Sequence, residues 1–159
     1  MYTSAVLTIS DSSFQRLRQD LSGPAIVRRL EQAGFRVIHT SILPDEKDQI
    51  AARLIECAEV ARLVVTVGGT GVATRDVTPE ATRAVAERFV EGIPEKMRLE
   101  GSRKTPLAAL SRGVCAIRGK ALLLNLPGSP SAAAESLEAV IEIVPHALDL
   151  LDGNTAHAG

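Results

Sequence analysis

Leu63-Val64-Val65-Thr66-Val67-Gly68-Gly69-Thr70-Gly71-Val72-Ala73-Thr74-Arg75-Asp76 sets the frame of this chain. Its first five residues are apolar and β-branched, as in a strand covered on both faces. Gly68, Gly69 and Gly71 then allow backbone angles closed to other residues and let a ligand approach the main chain. Thr78-Pro79-Glu80 reads as a helix start, with Thr78 as N-cap and Pro79 at the first helical position. Open α/β sheets bind ligands in loops of this kind, beyond the carboxyl ends of their strands. The bunched N–H groups suit phosphate, and Asp76 is placed to hold a metal against it. The plainer alternative is a tight turn with a solvated aspartate, and a short glycine motif does not decide between the two.

Upstream, Ala5 to Ile9 forms a strand pattern that Ser10-Asp11-Ser12-Ser13 ends. Phe14 to Asp20 reads as a polar surface loop, and Ser22-Gly23-Pro24 starts a helix. Ile26, Val27, Leu30 and Ala33 share one face of that helix, and Gly34 fits its C′ stop. Phe35 to Leu43 is the second strand, and Pro44-Asp45-Glu46 opens the next helix with Asp45 as its expected N-cap.

Downstream, Pro79 to Glu87 is expected to be a short helix. Glu91 to Leu110 looks irregular, with room for a helix over Pro94 to Arg103. Lys96, Arg98, Arg103, Lys104, Arg112, Arg118 and Lys120 stand against Glu100 alone between positions 96 and 120. That run is either a solvated face or a basic wall turned toward polyphosphate. Val114 to Arg118 and Ala121 to Leu126, separated by Gly119-Lys120, read as a hairpin, so one strand runs against an otherwise parallel sheet. Pro127-Gly128-Ser129-Pro130 is a second glycine loop feeding a helix N-terminus. The last helix is expected from Ser131 to Leu151, bent at Pro145.

A chain of 159 residues with 45% apolar composition is long enough to bury one core,. We therefore expect a single domain over 1–152 and a flexible tail over 153–159. The net charge of −1 argues against a nucleic-acid partner,. Without a long apolar run we expect no membrane span, and without a leader pattern a cytoplasmic location. Cys57 and Cys115 read as buried thiols, and His39, His146 and His157 form no zinc set,.

The motifs taken together resemble the molybdopterin adenylyltransferases of molybdenum-cofactor synthesis, the MogA/MoaB type that includes the N-terminal domain of gephyrin. The resemblance runs through Gly68 to Gly71, Arg75-Asp76-Val77-Thr78-Pro79-Glu80, Thr105 to Arg112, Ile117 to Lys120 and Leu124 to Pro130. Ser10-Asp11, Asp20 to Pro24 and Pro44-Asp45-Glu46 extend it upstream. It implies a three-layer α/β/α fold around a mostly parallel sheet, assembled as a homotrimer. It also implies Mg²⁺-dependent transfer of AMP from ATP to the terminal phosphate of molybdopterin, with release of pyrophosphate. By motif, Asp45 and Asp76 become the catalytic and metal-binding residues. Asp11, Ser22, Gly68, Gly69, Thr70, Gly71, Ser111, Pro127, Gly128 and Ser129 become the substrate-binding set. The product would pass to a molybdate-inserting protein. The alternative within the family is a paralogue that binds molybdopterin and assists cofactor synthesis without turnover. A dinucleotide-dependent oxidoreductase or a P-loop NTPase is disfavoured. The first strand carries no G-x-G-x-x-G, and the chain holds no G-x-x-x-x-G-K-[ST],.

Overall fold

A computed structural model describes residues 1–155. Among them the strands are β1 (Thr3–Ile9), β2 (Arg36–Leu43), β3 (Leu63–Val67), β4 (Arg88–Phe89), β5 (Cys115–Arg118) and β6 (Ala121–Leu126). They form one sheet in the order β2-β1-β3-β6-β5-β4. β1 pairs in parallel with β2 and β3, and β3 with β6. β5 is antiparallel to both of its neighbours, so it alone runs against the rest. The Gly119-Lys120 hairpin causes this reversal, with Gly119 at φ 57°.

The helices are α1 (Asp11–Phe14), α2 (Ser22–Gln32), α3 (Lys47–Val60), α4 (Thr78–Val85), α5 (Gly92–Ser102), α6 (Pro130–Val140) and α7 (Val144–Leu151). A 3₁₀ turn covers Pro106–Leu110. Alternate residues of the strands feed two cores. Val6, Val65, Leu122 and Leu124 pack with α2, α5, α6 and α7 on one face. Ala5, Leu7, Val64 and Leu123 pack with α3 and α4 on the other. This is the expected three-layer arrangement, and it explains why β3 is buried at every position.

Several local expectations are corrected. Asp45 is not an N-cap: Glu46 holds that position, without a side-chain cap bond, and Asp45 turns toward Asp11 instead. Thr78 is already the first helical residue, after Val77. The segment Phe14 to Asp20 begins inside the single turn of α1, which Ser10 caps. Glu91 to Leu110 is mostly α5 and the 3₁₀ turn. The two-residue β4 was not foreseen, since so short an edge strand exists only through its pairing with β5. The last helix is broken between Val140 and Val144 rather than bent, because Pro145 offers no N–H to the preceding turn and its ring crowds that carbonyl,. Of the expected tail, residues 156–159, and with them His157, lie outside the described residues. Ahead of them Asn154 donates its N–H to Asp149 O, so the chain turns back on α7. Among the described residues no helix is long and apolar enough to cross a membrane.

A buried polar cluster fixes the floor beneath the loops. Asn125 on β6 accepts from Val114 N–H (3.1 Å) and donates to Thr66 Oγ1 and Thr82 Oγ1 (both 3.0 Å). Truncation would leave Val114 N–H and Thr66 Oγ1 unpaired inside the sheet. Asn125→Ala is therefore expected to lose about 2 kcal/mol, read by urea unfolding at constant m-value.

Candidate functional site

The chain runs from β1 outward to β2 and then returns to β3 on β1's other side. This reversal opens a crevice beyond the carboxyl ends of β1 and β3, at the switch point of the sheet. The glycine loop after β3 fills its floor. Gly68 (φ 106°) donates its N–H to Leu126 O at 3.0 Å, and a Cβ on it would lie 2.3 Å from Ile9 O. Only glycine fits so close to β1 at that angle. Gly69 (φ 68°) is equally confined, since a Cβ there would lie 2.3 Å from Thr78 Oγ1 and 3.0 Å from Asp45 Oδ1. The second glycine loop, after β6, packs directly against the first: a Cβ on Gly128 would lie 3.3 Å from Gly68 Cα. Ser22 Oγ donates to Gly128 O at 2.7 Å, and Ser129 caps α6 by accepting from Ala132 N–H.

Two cavities meet across these loops. One, of about 390 Å³, is polar and bordered by Ser22, Asp45, Gly68 and Arg18 among others. The other, of about 510 Å³, is lined by Thr70, Gly71, Ser111 and Pro127 together with apolar residues such as Met97 and Leu107. Gly69, Asp76, Gly128 and Ser129 border both. Every sequence-derived site residue thus borders a cavity except Asp11, which sits just outside, in α1.

The two carboxylates differ in environment. Asp45 accepts from Asp11 N–H at Oδ2 (3.0 Å). Burial raises its carboxyl above the ordinary value; the Asp11 N–H and Arg75 oppose that shift, and the charges of Asp11 and Asp76 add to it. Asp76 accepts from Ala73 N–H at Oδ2 (3.0 Å), which closes the turn that carries it. Asp11 is held below the usual carboxylate range, first by its bonds to Arg75 and then by the Asp45 N–H.

The donor set fits a hard cation such as Mg²⁺. Asp45 Oδ1 and Asp76 Oδ1 accept no hydrogen bond among the described residues, and both side chains border the polar cavity. Thr78 Oγ1, beside Gly69, is buried without a partner. The described residues contain no group of three or more His, Cys, Asp or Glu suited to a metal. A cation here would depend on phosphate oxygens for the rest of its shell, which is how Mg²⁺ is commonly bound.

Sequence reasoning passed over two arginines. Arg112 holds the glycine loop from behind: its N–H donates to Thr70 O (2.8 Å), Nε to Gly71 O (2.7 Å) and Nη2 to Asp76 O (2.8 Å), while Glu80 takes the guanidinium in two bonds. Arg75 spans the outer side, bonded to Asp11 and Glu46. The signal for Arg75 was its place inside a motif, and Arg112 stood both in a motif and in the basic run, where its grip on the glycine loop could not be read. The basic wall, by contrast, dissolves into separate pairs for all its members but Lys96. Lys104 meets Glu135, Arg103 meets Glu100, Lys120 approaches Asp152, and Arg118 and Arg98 donate to backbone carbonyls. Of that run Arg98 alone lines the larger cavity.

Known proteins share this fold and much of this sequence. The family model described as a probable molybdopterin binding domain matches residues 5–146. The molybdopterin adenylyltransferase of Helicobacter pylori is 42% identical over 153 residues, which span 94% of this chain and 87% of the relative. Its counterpart in Escherichia coli is 39% identical over 165 residues, spanning 93% of this chain and 84% of that protein. The crystal structure of the molybdopterin biosynthesis enzyme MoaB from Thermus thermophilus superposes with a TM-score of 0.91 at 50% identity, covering 96% of this chain and 98% of that one. A family match over most of the chain, on the fold and loops described above, shows that this chain belongs to the molybdopterin adenylyltransferase family of MogA/MoaB type.

Proposed function

We propose that this protein adenylylates molybdopterin in molybdenum-cofactor biosynthesis, transferring AMP from ATP and releasing pyrophosphate. The observation that carries the reading is the junction of the two cavities at Gly69, Asp76, Gly128 and Ser129, with Asp45 facing the polar side. A two-substrate phosphoryl transfer needs such a junction, because the attacking and leaving oxygens must lie in line across one phosphorus. A terminal phosphate oxygen of molybdopterin forms a bond to the α-phosphorus of ATP as the bond to the bridging oxygen breaks. The electron pair leaves on pyrophosphate.

The chain's own part is to position and neutralise. Gly68 and Gly69 bring their backbone against the phosphates where a side chain would block it. Asp45 and Asp76, with substrate oxygens, would hold Mg²⁺, and that ion would offset the phosphate charge on both sides of the transfer. Arg112, by fixing the carbonyls of Thr70, Gly71 and Asp76, keeps the loop from yielding. Ser111 and the apolar wall around Met97 offer a less polar compartment suited to a flat ring.

The test is incubation with molybdopterin, ATP and Mg²⁺. Adenylylated pterin and pyrophosphate in equal amounts support the reading. Bound molybdopterin without product would make the chain the non-catalytic paralogue instead. We further propose a homotrimer acting in the cytoplasm and passing its product to a molybdate-inserting protein. Ile38 and Ile42 on the edge strand β2, 41% and 39% exposed, support self-association,. Light scattering at micromolar concentration is expected to give three times the 16.8 kDa of the chain, and a monomer mass would refute the assembly.

A further inference from the structure

Asp11 and Arg75 border neither cavity, yet they join the segments that carry both carboxylates. The N–H of Asp11 donates to Asp45 Oδ2 at 3.0 Å, and the N–H of Asp45 donates back to Asp11 Oδ1 at 2.9 Å. This reciprocal pair ties the end of β1 to the entrance of α3. Arg75 takes up what remains of Asp11: Nε donates to Oδ2 at 2.8 Å and Nη2 to Oδ1 at 2.9 Å. The same Nη2 reaches Glu46 Oε1 at 3.1 Å. Arg75 immediately precedes Asp76, whose own side chain closes the turn on Ala73 N–H. A continuous run of bonds therefore leads from the loop of Asp76, through Arg75 and Asp11, to the carboxylate of Asp45.

We propose that Arg75 and Asp11 are positioning residues, a brace that fixes the direction of Asp45 and its separation from Asp76 while touching neither substrate. The proposal rests on the adenylyl-transfer reading of the site and assigns Asp11 a different part from the substrate contact that family resemblance implies. Both Asp11 oxygens already accept bonds from protein groups. The two cavity carboxylates repel each other, and the turn that carries Asp76 projects from the end of β3. A fork of two parallel bonds from a guanidinium sets angle as well as distance. Its setting is exposed, with 56% of the Arg75 side chain accessible, so its worth to stability is small,. Its worth to the reaction is not small, because misplacement by about 1 Å costs roughly a hundredfold in a positioned transfer. Much turnover and little stability is the signature that separates a brace from an ordinary surface ion pair.

The variants are Arg75→Ala, Arg75→Lys, Asp11→Asn and the Arg75→Ala/Asp11→Asn pair, in the full chain. Five readouts apply: the half-activating Mg²⁺ concentration for adenylyl transfer, the KM values for molybdopterin and ATP, Mn²⁺ binding with ATP present by electron paramagnetic resonance, amide hydrogen exchange at Asp11 and Asp45, and thermal melting. In Arg75→Ala the half-activating Mg²⁺ is expected to rise and Mn²⁺ affinity to fall by about tenfold or more, the usual scale for losing the partner of a metal ligand. Exchange at both amides should accelerate, Tm should move by only a few degrees, and the KM for molybdopterin should hold. Lysine should restore part of the loss, since it returns the charge without the fork. The double variant should be little worse than Arg75→Ala, because both changes break one connection. A folded Arg75→Ala with wild-type Mn²⁺ binding and half-activating Mg²⁺ overturns the brace. So does a loss confined to the KM for ATP, which would make Arg75 a nucleotide contact. If the wild-type protein transfers no AMP while Mn²⁺ binding and exchange still respond, the brace stands and the enzymatic reading falls.

Discussion

Asp76→Asn is expected to melt close to the wild-type temperature and to transfer AMP about two to three orders of magnitude more slowly. The stability expectation follows from the turn: asparagine keeps an oxygen that can accept from Ala73 N–H, and Arg112 still grips the carbonyl of residue 76. The rate expectation follows from the lost charge. A metal clamp on a transferring phosphoryl group supplies several kcal/mol of transition-state stabilisation, and each ~1.4 kcal/mol is tenfold in rate. The measurement is product formation under saturating ATP and Mg²⁺ beside a melting curve. Near wild-type turnover in this variant would remove the metal role from Asp76. A collapsed melting temperature would make the residue structural.

Asp45→Asn is expected to lose turnover on the same scale while gaining stability in metal-free buffer at neutral pH. A helix-capping aspartate would be nearly indifferent to this change, because asparagine caps about as well as aspartate. Asp45 caps nothing: its side chain meets Asp11 N–H, and asparagine can still accept there. Its folded carboxyl lies above the ordinary value, chiefly through burial. A group raised in this way adds stability below its unfolded pKa, near about 3.9, and loses it as pH rises through the folded value. At neutral pH the ionised group is therefore a liability to the metal-free fold. The melting advantage of Asp45→Asn should be present at pH 7, shrink as pH falls through the folded value, and vanish below the unfolded value, where the wild-type group is protonated in both states,. Asp11 titrates in the opposite sense. Its carboxyl is depressed, so its contribution is present above the unfolded value and is lost as pH falls through the folded one. Less stable Asp45→Asn at pH 7 would refute this account.

Both expectations turn on a difference between two aspartates that look alike in the chain. The local sequence signalled where each would sit. Leu63 to Val67 announced a doubly covered strand, and the glycines after it announced a turn open to phosphate. Gly34 announced a helix stop, Gly119-Lys120 a hairpin, and Ser129-Pro130 a capped helix. These features are set by φ preference, side-chain branching and missing donors within a few residues, so they can be read one segment at a time.

Failures came where a local preference met a distant partner. Asp45 favours an N-cap, but the end of β1 lies beside it and Asp11 N–H takes its oxygen. The cationic run from Lys96 to Lys120 reads as one wall, but all its members except Lys96 are spent on Glu80, Glu100, Glu135, Asp152 and backbone carbonyls scattered along the chain. The roles of Arg75 and Arg112 could not be read from the chain, because a guanidinium's work depends on which oxygens the fold brings within about 3 Å of it. The sequence by itself determined five of the six strands among the described residues, the Gly119-Lys120 hairpin and the family. The tertiary structure alone decided that two loops some sixty residues apart pack Gly128 against Gly68, that two cavities join at Asp76, and that Asp11 faces protein rather than cavity. The reason is physical: backbone preferences are properties of neighbours in the chain, whereas hydrogen-bond partners and desolvation are properties of neighbours in space.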